Sequence, residues 1–139
     1  MLFRISAYAA FAAMLSGFWS GPTGPTPTVA CGAAAITIGV FSNGAPPSPG
    51  QGLVWTSYFA ATILPAQPSV YVVDMNFAPA GCAAAWTAVS SDTSAVQLSP
   101  ASGSGKSQVE LFMPANTGAQ RSTLVTIAGQ TASITQGGR

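Results

Sequence analysis

The chain has 139 residues, of which 48% are apolar and 5% charged, with four basic side chains, three acidic ones and no histidine. A soluble domain ordinarily carries roughly 25% charged residues, so this surface must be built from Ser, Thr, Gln, Asn, Gly and Pro, as suits an extracellular or periplasmic protein. Arg4, Lys106, Arg121 and Arg139 cannot assemble the basic patch that neutralises phosphates, which excludes nucleic acid as an expected partner.

In chain order, residues 1–19 read as an export signal: Arg4 supplies the positive start, and residues 5–19 are uncharged, mostly apolar and too short to span a bilayer. Secreted, periplasmic or cell-surface localisation follows, with no transmembrane segment in the mature chain. Residues 20–29 are a Pro/Gly/Thr linker, expected to be extended and solvated. Thr28-Val29-Ala30 offers small residues for cleavage but lacks the Leu that lipidation of Cys31 would call for. One folded domain is expected over residues 30–139.

The punctuation from there is that of an all-β chain. Residues 33–41 are strand-like, and residues 42–52 form a loop rich in Pro and Gly. Residues 53–64 have a mixed pattern that fits either a bulged strand or a short helix, ended by Pro65 and Pro68. Strands are expected at residues 69–75, 84–90, 94–98, 107–113, 122–128 and 131–136. Val109, Leu111 and Met113 share one face of their strand, and Thr123, Val125 and Ile127 share one face of theirs. Gly129-Gln130 reads as a two-residue hairpin connection in which Gly takes a positive φ. Short strands in close succession, several of them half polar, indicate an antiparallel β-sandwich.

Cys31 and Cys82, in a charge-poor chain with an export signal, suggest one disulfide. They are too far apart for a CxxC redox motif and, without His, cannot complete a structural zinc site. No metal or cofactor is expected.

The run from Cys82-Ala83-Ala84-Ala85-Trp86 through the small-residue loop at 101–105, Pro114-Ala115-Asn116, Arg121-Ser122, Val125-Thr126-Ile127-Ala128-Gly129-Gln130-Thr131 and Ile134-Thr135-Gln136 carries a pattern. It resembles the BACON family (Bacteroidetes-associated carbohydrate-binding, often N-terminal) over about residues 70–137. The resemblance implies an immunoglobulin-like β-sandwich of the kind found in extracellular glycoside hydrolases, proteases and surface proteins, acting in carbohydrate binding or as a spacer. Many relatives carry a Cys near the start of the domain, a place Cys31 could match. Ala95-Val96 stands where relatives often have Trp-Ile, which removes one aromatic from consideration as a sugar platform. The front half, residues 30–69, is longer than the family's usual first strands.

Catalysis finds little support. Without His there is no Ser-His-Asp or Cys-His arrangement. Asp74, Asp92 and Glu110 fall singly on different segments, where a glycosidase needs two carboxylates roughly 5–10 Å apart. Asp92 in Ser-Ser-Asp-Thr-Ser is a natural turn residue. Gly103-Ser104-Gly105 lacks the helix and the Lys-Ser/Thr pair of a phosphate loop. No catalytic residue is therefore expected. Trp86 is expected in the core, beside the cystine. Asn116 and Arg121 are expected to order the loop they flank. Trp55, Tyr58 and Phe59, next to the Pro-rich segment at 46–52, are read first as filling the front-half core or covering the sandwich edge; they are also the candidate ligand-binding residues, since aromatic faces stack on sugars and loops on a rigid scaffold carry function. The sequence thus reads as a secreted, non-catalytic module that binds glycans or another cell-surface partner. The alternative is a spacer or assembly component of a cell surface or phage virion.

Overall fold

The computed structural model describes residues 30–41 and 53–139. The expected export signal, linker and 42–52 loop lie outside the described residues.

The fold is an all-β sandwich. Strands β1 (Ala35–Phe41), β3 (Ser69–Asn76), β7 (Ser107–Met113) and β5 (Gln97–Ser99) form a four-stranded sheet in the order β1-β3-β7-β5. Strands β2 (Ile63–Leu64), β9 (Gln130–Gln136), β8 (Arg121–Ile127), β4 (Ala85–Ser90) and β6 (Ser102–Ser104) form the second sheet, in the order β2-β9-β8-β4-β6. Every pairing is antiparallel except β2 with β9, which is parallel.

The core is the sum of the inward faces. Successive strand residues point to opposite sides. Tyr71, Val73 and Met75 of β3 and Val109, Leu111 and Met113 of β7 therefore meet Val125, Ile127, Ala132 and Ile134 from the other sheet. Thr123 completes the expected inward face of β8 and is buried. Each large aliphatic side chain buried this way contributes on the order of 1.5–3 kcal/mol.

The mixed segment is a helix, α1 (Trp55–Ala61). Trp55, Tyr58 and Phe59 stand at i, i+3 and i+4, one face of a helical turn. That face turns inward: Trp55 is 0% exposed and Phe59 1%, with Tyr58 half-buried. Phe59 meets Tyr58 edge-on at 5.2 Å and Tyr71 at 5.7 Å between centroids. The Trp55 indole N–H donates to Gln130 Oε1 at 3.4 Å, and the Gln130 amide donates to the Ala34 carbonyl. The helix so plugs the side of the sandwich where β1 and β9 come together.

Two other local expectations shift. The strand expected at residues 94–98 is reduced to β5, because residues 91–96 are organised as a turn around Asp92. Ser94 donates to Asp92 Oδ1 from its hydroxyl at 2.6 Å and from its backbone N–H at 2.9 Å. These bonds hold the Asp92 carboxyl below its ordinary range. The β8–β9 turn falls one residue early, at Ala128-Gly129, with φ of 48° and 79°. Both central residues take positive φ, as this tight hairpin requires.

One end of the sandwich is closed by a polar plug. Gln136, 3% exposed, accepts two bonds from the Arg121 guanidinium and donates to the carbonyls of Pro65 and Pro114. Asn116, also buried, donates to the carbonyls of Ala119 and Gly137 and accepts from the Gly118 N–H. Both expected loop residues, Asn116 and Arg121, therefore bond within the fold.

At the other end, Cys31 and Cys82 form the expected disulfide, with Cα atoms 5.8 Å apart. It ties the segment before β1 to the β3–β4 loop, beside a backbone bond from Gly32 N–H to the Ala78 carbonyl. Among the described residues no helix is long and apolar enough to cross a membrane.

Two stability predictions follow from this packing. Trp55→Ala removes the centre of the aromatic plug and lowers unfolding free energy by about 3–5 kcal/mol. Reduction of the disulfide frees a loop whose ends are 51 residues apart and costs about 4 kcal/mol on the chain-entropy account. Denaturant titrations of wild type, variant and reduced protein measure both.

Candidate functional site

The structure takes the core reading of the α1 aromatics. Trp55 and Phe59 have no exposed face to offer a sugar, because the i, i+3, i+4 face of α1 fills the core. Tyr58 is half-buried and packs edge-on against Phe59, and burial pushes its phenol pKa up. Trp86 is 4% exposed, its ring lying under Gly103 of β6, so it too belongs to the interior.

The outward residues of the four-stranded sheet form the more developed surface. Thr37, Asp74 and Gln108 stand in one cross-strand row on β1, β3 and β7. The same strands point Ile36, Ile38, Val73, Met75 and Val109 inward, so the polar row is fixed by the core beneath it. Beside that row lies a groove of about 600 Å³ lined by Thr37, Asp74, Asn76, Lys106, Ser107 and Gln108.

The Asp74 carboxylate is positioned from two sides. The Gln108 amide donates to its Oδ1 at 2.7 Å. On the other side is Gly39, the unpaired residue at the register shift of β1 between Ile38 and Val40, where a Cβ would collide with the carboxylate. Absence of a side chain at residue 39 is thus what lets the carboxylate lie where it does. The groove then presents the Asp74 carboxylate, the Asn76 and Gln108 carboxamides and the Thr37 hydroxyl, with Lys106 beside them: a mixed set of donors and acceptors with little net charge.

The arrangement is built for hydrogen bonding. Asp74 stands opposite Gln108 and Glu110 opposite Val72, so the two acids are diagonal neighbours on one sheet face. Of the two, Asp74 lines the groove. Among the described residues no group of three or more His, Cys, Asp or Glu side chains could hold a metal ion.

A second cavity, of about 480 Å³, adjoins the groove and shares Asn76 and Lys106 with it. Its remaining walls include Phe77, Ala78, Ala80 and Ala83, beside the disulfide half Cys82. The alternation of β3 and β7 was readable in the sequence; that Asp74 faces Gln108 on one side and Gly39 on the other depends on register.

The chain matches no protein-family model and no curated protein. Among solved structures it is similar to a Bacteroides ovatus GH5 xyloglucanase in complex with a XXXG heptasaccharide, at 23% identity and a TM-score of 0.45. That likeness covers 55% of this chain and 16% of that one.

Proposed function

We propose that this protein is a secreted, non-catalytic β-sandwich module of BACON type that holds a neutral, hydroxyl-rich ligand, a glycan, in the groove beside Asp74. The observation that carries this reading is the preset carboxylate, held by Gln108 and given room by Gly39. Vicinal hydroxyls of a sugar donate to such a carboxylate. Gln108, Asn76 and Thr37 add groups that both donate and accept. A rigid sheet, not a loop, carries the row, so little ordering is needed on binding. The disulfide supports an oxidising compartment.

A spacer or assembly role is the second reading, and one observation favours it. The outer face of the five-stranded sheet exposes Val89 and Leu124 among Ser and Thr hydroxyls, including the bonded pairs Ser122–Thr135 and Thr126–Thr131. Assembly would use that face more readily than a sheet edge. β2, β5 and β6 have two or three residues each, and the free edge of β1 is partly taken by the Thr37–Val54 bridge.

Binding calorimetry against a panel of neutral oligosaccharides tests the glycan reading. Asp74→Ala should weaken binding roughly tenfold or more, the worth of a hydrogen bond to a charged group. Gly39→Ala, which displaces the carboxylate, should do the same while leaving the melting temperature nearly unchanged. Affinity should vary little with salt, since the ligand carries no charge. Wild type that binds no neutral oligosaccharide would refute the glycan reading and leave the spacer role.

A further inference from the structure

We infer that the ligand is an acetamido sugar, with its ring hydroxyls in the Asp74 groove and its acetamido group in the adjoining cavity beside the disulfide. The inference rests on the glycan reading of the groove and specifies it.

Two features of the cavity point to that substituent. Apart from Asn76 and Lys106 its lining is of small or apolar residues, Phe77, Ala78, Ala80 and Ala83 among them. The residues it shares with the groove, Asn76 and Lys106, are both polar. A group reaching from the groove into the cavity must therefore be polar where it leaves the ring and apolar at its tip.

An acetamido group has that order of chemistry. Its N–H can donate to the Asn76 carbonyl oxygen, its carbonyl can accept from Asn76 or Lys106, and its methyl meets the alanine wall. A hydroxyl in its place would leave the apolar wall wet. A carboxylate would engage Lys106 but leave the methyl-lined wall without a partner and would approach the Asp74 carboxylate as a like charge. Burial of one methyl and one added hydrogen bond together correspond to about tenfold or more in affinity.

Calorimetric titration of the full chain with chitotetraose and with cellotetraose tests this, because the two share a β-1,4-linked glucose skeleton and differ at the acetamido position. Chitotetraose should bind at least about tenfold more tightly. Ala80→Phe fills the cavity from an exposed turn position. It should remove that preference, bringing the chitotetraose affinity down to that of cellotetraose, with the fold intact by melting temperature. Equal affinities, or a preference that survives Ala80→Phe, would overturn the acetamido assignment while leaving the groove reading in place. Binding of neither oligosaccharide, with a positive result for another neutral glycan in the groove, would overturn it equally. Loss of all glycan binding would remove the groove reading itself.

Discussion

The structure depends on the register between β3 and β7. Seven consecutive residue pairs, from Ser69 with Met113 to Met75 with Ser107, fix it. One set of alternate residues, Tyr71, Val73 and Met75 against Val109, Leu111 and Met113, makes a wall of the core. The other set places Asp74 against Gln108 on the outside. A slip of one residue would turn the methionines and valines to water and the acid inward, a cost the fold could not absorb. Core and groove are two faces of the same pairing, and the groove inherits the rigidity of the core.

Scarcity of charge gives that groove its character. With seven charged side chains in the chain (four basic, three acidic), long-range steering is weak, and what this surface can offer is short-range hydrogen bonding. Lys106 and Asp74 both line the groove, so its local field is close to balanced. The remaining polar groups of the fold are largely spent internally. Gln136 and Asn116 satisfy loop carbonyls at one end, Asp92 holds its own turn, and the Ser and Thr pairs of the five-stranded sheet bond one another.

The strand pattern was legible because period-2 alternation is a local signal. β7 falls where the sequence placed it, β3, β4 and β9 differ from expectation by a single residue at one end, and β8 is shifted by one residue as a whole. The segment at 53–64 was harder, since it is too short for a full amphipathic repeat and is bounded by Pro and Gly on both sides. Its decisive signal was the spacing of Trp55, Tyr58 and Phe59, which is that of one helical face and therefore of burial. That spacing decides between the two readings of these aromatics in favour of the core. Short β6 was hidden in small residues that read as a loop, yet it lies over Trp86, where Gly103 permits the close approach. The groove was not legible because Gly39, Asp74 and Gln108 lie far apart in sequence and meet only through two strand pairings. The disulfide was legible because the chain offers a single possible pair.

Chemical-shift mapping on isotope-labelled protein tests the central claim most directly, that recognition resides on the outer face of β3 and β7 and not on the aromatic helix. On titration with a bound neutral oligosaccharide, the account predicts shifts at the backbone amides of Asp74, Asn76, Lys106 and Gln108 and at the Gln108 side-chain amide, with α1 unmoved. Shifts concentrated at residues 55–59, or on Val89 and Leu124 of the opposite sheet, would contradict it.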